Sequence, residues 1–132
     1  MRRMTTNVHG ALDYLFGAAL VATPWLFGYA GIGGPETWVP VILGLGIIVY
    51  SLLTDYEWGV IKLIDVRAHI ALDIVAGATL LISLIFFGFY DATFWTPYII
   101  LGALAVIGGL VTEPHPRSHR PRLSAFRQPT PG

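Results

Sequence analysis

The sequence contains no cysteine and few charged residues. Only 12% of its 132 residues are charged, whereas a typical soluble domain has about 25%. The absence of cysteine excludes disulfides, thiolate catalysis, cysteine-ligated zinc and iron–sulfur clusters. A formal net charge of zero excludes the basic field of a general nucleic-acid binder, so we expect no nucleic-acid partner.

Motifs for enzymatic chemistry are also missing. The chain has no HExxH zinc motif, no phosphate-binding Gly-rich loop after a strand, and no nucleophile with a base at a recognisable spacing. The Gly-rich stretch GIGG at 31–34 is expected to be a turn on the outer side, not a nucleotide-binding loop. We therefore expect no enzyme activity.

Hydrophobic residues make up 55% of the chain and fall in four runs, at 9–29, 38–54, 67–90 and 95–112. Each run is close to the ~20 residues that cross a hydrocarbon core as a helix, and none alternates as a barrel strand would. The sequence predicts an all-α polytopic membrane protein with four transmembrane helices. A cleaved signal peptide is the alternative for the first run, but Asp13 interrupts that run.

The basic residues all fall on one side of the predicted membrane. With four spans, the N-terminus, the middle loop and the C-terminus share a side, and these segments hold every Lys and Arg: Arg2, Arg3, Lys62, Arg67, Arg117, Arg120, Arg122 and Arg127. The positive-inside rule therefore predicts that both termini are cytoplasmic.

The chain repeats itself. VHGALDYLFGAAL at 8–20 recurs as AHIALDIVAGATL at 68–80, ILG at 42–44 recurs at 100–102, and LTD at 53–55 resembles VTE at 111–113. The pattern predicts two tandem hairpins, parallel repeats related by an axis along the membrane normal. The predicted segments are a cytoplasmic N-terminus (1–8), a first repeat (9–54), an interfacial cytoplasmic loop containing a short helix (55–66), a second repeat (67–112) and a cytoplasmic tail (113–132).

The end of the first run carries a further signature. ATPWLFGY contains Thr23, Pro24 and Trp25. At the three corresponding positions the second copy, ISLIFFGF, has Ser83 followed by Leu84 and Ile85, so the proline and the tryptophan are lost. A hairpin with Ser-Pro-Trp near the end of one helix and Trp-x-Pro opening the next resembles the SPW-repeat family of small bacterial membrane proteins. The resemblance implies a multi-pass protein of the bacterial inner (plasma) membrane and no assigned chemistry.

Prolines and aromatic residues cluster near the predicted outer boundary. Pro24 should kink the first helix, and Pro40 and Pro97 should lie in the first turns of the second and fourth helices, which Thr37 and Thr93 or Thr96 could cap. We expect the amphipathic rings to anchor the helices at the interface; they are Trp25, Tyr29, Trp38, Trp95 and Tyr98.

The tail after residue 113 is rich in proline and arginine, so it should not fold into a helix by itself. Two interpretations remain open, a solvated basic tail near anionic lipid and a strap that docks on a partner. In both, the arginines contact lipid phosphates or partner carboxylates; they are Arg117, Arg120, Arg122 and Arg127.

The candidate functional residues are two polar pairs, His9 with Asp13 and His69 with Asp73, each four residues apart on one helix face. Three interpretations compete: hydrogen bonds that join the repeats, with Arg3 or Arg67 as further partners; histidines that ligate haem or a chlorophyll-type pigment, oriented by the aspartates; and a proton relay, an ion-binding site or a small transporter.

We predict no metal and no cofactor. The favoured function is a small accessory subunit that packs, within the lipid bilayer, against other membrane-protein subunits. The alternative is a pigment- or haem-binding protein that uses His9 and His69.

Overall fold

The computed structural model of the chain describes residues 4–88 and 91–113, without the side chains of Ala92 and Phe94. Within these residues it contains four α-helices and no β-strand, which confirms the all-α prediction. The helices are α1 (Thr6–Leu26), α2 (Pro35–Leu52), α3 (Val66–Phe86) and α4 (Ala92–Val111), and a 3₁₀ turn, Ala30–Ile32, follows α1.

Each helix begins and ends slightly before the predicted run because local capping sets its ends. Thr5 and Asp65 cap α1 and α3 from equivalent positions of the two repeats. Gly28 has a φ of 78°, and the N–H of Tyr29 donates back to the Pro24 carbonyl at 2.8 Å. This is the left-handed glycine cap that ends many helices.

Two predictions about the other helix starts are wrong. The N-caps are Gly34 for α2 and Asp91 for α4, instead of the threonines that the sequence suggested. Because both helices start earlier than expected, Pro40 and Pro97 lie inside them, beyond the first turn. A proline there leaves the carbonyl four residues earlier without its helical donor. For Pro40 that carbonyl belongs to Glu36, and the Tyr98 hydroxyl of α4 donates to it at 2.9 Å.

Two glycine pairs set the distance between the helices of each hairpin. A Cβ on Gly44 would lie 2.6 Å from the Gly17 carbonyl oxygen, and a Cβ on Gly77 would lie 2.7 Å from the Gly102 carbonyl oxygen. Side chains larger than hydrogen would push the backbones apart. Equivalent glycines thus perform the same packing in both repeats.

The two hairpins meet around a small apolar core. Its buried members are Leu20, Ile47, Ala76, Leu80 and Tyr98. Tyr98 and Tyr29 are 1% and 3% exposed. The prediction that their rings anchor the helices at the membrane interface is therefore wrong. The hydroxyl of Tyr98 reaches a backbone carbonyl inside the bundle, which permits its burial.

The loop between the hairpins contains no helix, contrary to the sequence prediction. The chain instead turns back on the end of α2. The N–H groups of Val60 and Ile61 donate to the Leu52 carbonyl at 2.8 and 3.0 Å, and the N–H of Leu63 donates to the Leu53 carbonyl at 2.9 Å. The loop therefore satisfies carbonyls that a helix end leaves free, and a separate helix would remove these donors.

The end of each hairpin pairs with the segment that lies just before the first helix of the other hairpin. Ile64 lies in a parallel bridge with Thr54, and Met4 lies in an equivalent bridge with Thr112. In the second bridge the N–H of Met4 donates to the Val111 carbonyl and the N–H of Glu113 donates to the Met4 carbonyl, both at 3.1 Å. The same bonds recur with the repeats exchanged, as an approximate two-fold relation requires.

The outer surface of the bundle is apolar. Helices α2 and α3 are long and apolar enough to cross a membrane by length and composition, and Trp95–Val111 of α4 is a shorter apolar helix. Large hydrophobic side chains are exposed on all four helices, for example Leu15, Ile42, Ile82 and Leu110. This distribution is typical of a protein that faces lipid.

Candidate functional site

The two polar pairs meet at one place between the hairpins. His9 and Asp13 of α1 face His69 and Asp73 of α3, and all four residues are buried. The imidazole centroids of His9 and His69 are 5.7 Å apart. The predicted pairing within each helix is present but is not the shortest contact.

The shortest contacts run crosswise between the repeats. His9 Nε2 lies 2.6 Å from Asp73 Oδ2, and His69 Nε2 lies 2.9 Å from Asp13 Oδ2. Within each helix the corresponding distances are longer, 3.3 Å for His9 to Asp13 and 3.2 Å for His69 to Asp73. Each hairpin therefore supplies the carboxylate that the other hairpin's histidine needs.

Two threonines fix the orientation of the histidines. Thr112 Oγ1 lies 2.7 Å from His9 Nδ1, and Thr54 Oγ1 lies 2.7 Å from His69 Nδ1. Each threonine hydroxyl donates its single proton to the carbonyl four residues earlier, at 2.6 Å. The hydroxyl must therefore accept from the imidazole, so both histidines carry a proton on Nδ1.

This tautomer assignment determines the proton content of the cluster. Because Nδ1 is protonated in both rings, each short Nε2–carboxylate contact holds one further proton, on nitrogen or on oxygen. The cluster with these two protons has no net charge, either as two imidazolium–carboxylate pairs or as neutral partners. Neutrality matters because an uncompensated charge in a low-dielectric interior is very unfavourable.

Two tyrosines complete the cluster on the side of α2. The Tyr50 hydroxyl donates to Asp73 Oδ1 at 2.5 Å, and the Tyr56 hydroxyl donates to Asp13 Oδ2 at 3.3 Å. Tyr56 lies in the loop after α2, where burial raises the pKa of its phenol. The phenol therefore remains a donor at neutral pH. Both rings also contact His69, with centroid distances of 4.9 and 5.2 Å.

The other side of the cluster opens into a groove between α1 and α4. The groove has a volume of about 440 Å³ and is lined by apolar side chains, with His9, Asp13 and Asp73 in its wall. Gly108 lies in this wall, at the position of α4 that corresponds to Tyr50 of α2. The His9 side chain is consequently 7% exposed, whereas that of His69 is 1% exposed.

The other predicted site residues that the structure describes lie apart from this cluster. Trp25, Trp38 and Trp95 are exposed on the surface, and the Trp38 indole donates to the Gly33 carbonyl at 3.1 Å. Pro24 lies within α1. Arg67 is exposed, and Asp65 accepts from its backbone N–H. Arg3 and the predicted lipid- or partner-contacting residues Arg117, Arg120, Arg122 and Arg127 lie outside the described residues.

The repeated pattern agrees with a known family. A family model for the SPW repeat domain matches residues 7–112. The chain belongs to the SPW repeat family. No curated protein and no solved structure matches it. The SPW repeat assignment and the two apolar helices indicate a small membrane protein.

Four residues that contact the histidine–aspartate cluster were not predicted from the sequence: Tyr50, Thr54, Tyr56 and Thr112. The threonines were visible in the LTD and VTE repeat, but the spacing alone did not indicate that their hydroxyls reach the histidines. The tyrosines are not repeated, because glycine and proline stand at the corresponding positions 108 and 114. No signal in the repeat therefore pointed to them.

The histidine–aspartate cluster offers haem or chlorophyll no free imidazole nitrogen in this arrangement. Both Nε2 atoms contact carboxylates, and both Nδ1 atoms contact threonine hydroxyls. Axial ligation would require one of these contacts to break. The same four side chains do converge with spacings that suit a metal ion, since one donor atom from each lies within 4.8 Å of the others.

Proposed function

We propose that the protein is a non-enzymatic accessory subunit of the bacterial inner membrane, with four spans and no bound pigment or haem. The observation that carries the proposal is the division of polar groups in the described residues. The histidines and aspartates of the helices contact one another inside the bundle, while the large outward side chains are apolar. Such a bundle presents apolar faces to lipid and to other helices, while its polar side chains contact one another in the interior.

The proposed topology has both termini in the cytoplasm. The pairing of Met4 with Thr112 supports a common side for the two ends of the bundle, and the positive-inside rule assigns that side to the cytoplasm. Reporters fused at residues 33 and 91 should read periplasmic, and reporters at residues 60 and 130 should read cytoplasmic. A periplasmic signal at residue 60 would refute the four-span arrangement.

The accessory role predicts stable association with other membrane-protein subunits. Tagged full-length protein, extracted in mild detergent, should migrate as part of a larger complex. A variant that lacks residues 114–132 should still insert but should be recovered less in that complex. If both proteins purify as partner-free monomers of equal stability, the accessory role is wrong. The absorption spectrum of the same preparation tests the pigment alternative, because a Soret or chlorin band would refute the proposal that no pigment or haem is bound.

A proton relay is the second candidate, and one observation favours it. Short hydrogen bonds of 2.5–2.7 Å link Thr112, His9, Asp73 and Tyr50 in series. Proteoliposomes with a trapped pH dye would measure conduction under an imposed potential. Conduction that Asp73→Asn abolishes would favour the relay, and leakage equal to protein-free vesicles would exclude it.

A further inference from the structure

We propose that His9, Asp13, His69 and Asp73 form a binding site for one divalent transition-metal ion of the zinc type. The ligands are the Nε2 atoms of both imidazoles and one carboxylate oxygen from each aspartate. The inference is independent of the accessory role, because a structural metal would join the two hairpins in either case.

The positions of the four donor atoms support the site. His9 Nε2 and His69 Nε2 lie 2.6 and 3.2 Å from Asp73 Oδ2, His69 Nε2 lies 2.9 Å from Asp13 Oδ2, and His9 Nε2 lies 3.3 Å from Asp13 Oδ1. One donor atom from each of the four residues lies within 4.8 Å of the others. A tetrahedral zinc ion with bonds of about 2.0 Å holds its ligands about 3.3 Å apart. Small changes of side-chain torsions that lengthen the shortest contact by several tenths of an ångström and bring the remaining donor pairs, now within 4.8 Å, to this spacing would create the coordination sphere.

The groups that hydrogen-bond to the proposed ligands are arranged as they usually are around metal ligands. A histidine that binds metal through Nε2 usually donates its Nδ1 proton to a fixed acceptor. His9 and His69 both do so, to Thr112 and Thr54. Tyr50 holds the second oxygen of Asp73, so that carboxylate is also oriented. Two imidazole nitrogens disfavour Mg²⁺ and Ca²⁺, which prefer oxygen, and favour zinc.

Charge balance makes the exchange of protons for metal possible in a buried place. The described cluster is neutral with two protons in its Nε2–carboxylate contacts. A divalent cation between two carboxylates and two neutral imidazoles is neutral as well. One metal ion therefore replaces two protons with no change of net charge, which avoids the cost of an uncompensated charge in the interior. Binding should release two protons per ion.

The groove between α1 and α4 provides a route to the site. Its wall contains His9, Asp13 and Asp73, three of the four ligands. The fourth, His69, is covered by Tyr50 and Tyr56. An ion entering from the α4 side would thus meet both carboxylates before it reaches the last imidazole.

The test uses the full chain in mild detergent, stripped of metal and titrated with Co²⁺. The tail contains His115 and His119, so the reference protein carries His115→Gln and His119→Gln. We expect the intense visible bands of tetrahedral Co²⁺ at one ion per chain, their loss when Zn²⁺ is added, and release of two protons measured with an indicator dye. No visible bands and no proton release would overturn the proposal.

Three variants separate the site from adventitious binding. Asp13→Asn removes one ligand but keeps a polar side chain of the same shape, and it should lower Co²⁺ affinity at least about 100-fold. Thr54→Val leaves every ligand in place and removes the acceptor of His69 Nδ1; a loss of about 10- to 100-fold is expected. Asp55→Asn is the matched control, because Asp55 lies on the surface and pairs with Lys62.

Melting curves without metal show whether each variant is folded, so that lost binding is not confused with unfolding. If folded Asp13→Asn binds Co²⁺ as tightly as Asp55→Asn does, the four-residue site is wrong. If Thr54→Val binds as well as the reference protein, the role of the threonines is wrong and the site loses its main geometric support.

Discussion

The two contacts between the hairpins differ although the hairpins are repeats. Where α2 meets α3, Tyr50 crosses to Asp73 and packs against His69. Where α1 meets α4, the equivalent position is Gly108, and a groove remains. A Cβ on Gly108 would meet only the end of Met4, at 4.0 Å. A single tyrosine-to-glycine difference thus separates a filled contact from an open one.

The comparison distinguishes two kinds of position. The histidines, aspartates, terminal threonines and packing glycines occur in both repeats and make equivalent contacts, so they hold the architecture. Tyr50 and Gly108 differ, so they give each side its own property. Variants at the first kind of position should be destabilising in either repeat, with a difference only where a residue of the second kind, such as Tyr50, contacts the changed side chain. Variants at the second kind should affect one side only.

The largest effect is expected from Asp73→Leu. It leaves His9 and Tyr50 facing an apolar side chain, and removing one partner of a buried pair costs about 3–5 kcal/mol. Asp13→Leu should also be strongly destabilising, but by less, because its contacts with His69 and Tyr56 are longer, at 2.9 and 3.3 Å. Thermal unfolding in detergent measures both. Equal or reversed effects would contradict the stronger role of Asp73.

The next largest effect is expected at the packing glycines. Gly44→Ala should lower stability by about 1–3 kcal/mol, because the new methyl group meets the Gly17 carbonyl oxygen. Gly77→Ala should cost a similar amount in the second hairpin. Gly46→Ala is the control on the same helix as Gly44, since nothing lies within 4 Å of its added Cβ. A neutral Gly44→Ala in the same melting assay would argue against close packing of α1 on α2.

A smaller effect is expected from Tyr98→Phe. Loss of the hydrogen bond to the Glu36 carbonyl should cost about 1 kcal/mol. Pro40→Ala would return the helical N–H to that carbonyl. In the Pro40→Ala background Tyr98→Phe should therefore cost less, and a double-mutant cycle from melting data measures the difference. Strict additivity would show that the tyrosine does not compensate for the proline.

An effect of about the same size but opposite sign is expected from Gly108→Tyr, which copies the filled side onto the open one. The new phenol should enter the groove and donate to Asp13, as Tyr50 donates to Asp73. A gain of about 1 kcal/mol is expected from the hydrogen bond and from removal of a helical glycine. Gly46→Tyr, on the outer face of α2, is the control. Destabilisation by Gly108→Tyr alone would show that the two sides are not equivalent.

The repeat made much of this arrangement predictable. Identical spacing of His9–Asp13 and His69–Asp73 at one depth indicated that the pairs meet between the hairpins. Their crosswise pairing was not predictable, because the helix spacing equally permits contacts within one helix. Pro40 and Pro97 were misplaced because a proline fits the first turn of a helix so well that it suggested the helix start. Gly34 and Asp91 in fact begin those helices.

The loop between the hairpins was misread for a physical reason as well. Its mixture of charged and apolar residues fits an amphipathic helix as well as it fits an extended segment. Backbone bonds from Val60, Ile61 and Leu63 to the end of α2 decide between them, and a sequence pattern does not register such long-range partners. The groove could not be predicted from the repeat, because it depends on Gly108, which stands where the first repeat has Tyr50.

The pairing of Met4 with Thr112 repeats the pairing of Ile64 with Thr54, so the two ends of the bundle meet in the same way as the two ends of the middle loop. Residues 56–63 already carry the chain from Asp55 to Ile64, and Glu113 and Met4 occupy the equivalent positions. A linker of the same length could join Glu113 to Met4, with new termini opened at Lys62, which is exposed. Such a circular permutant would exchange the order of the two hairpins along the chain and keep every contact of the histidine–aspartate cluster. We therefore expect the order of the two repeats along the chain to have no effect on the fold.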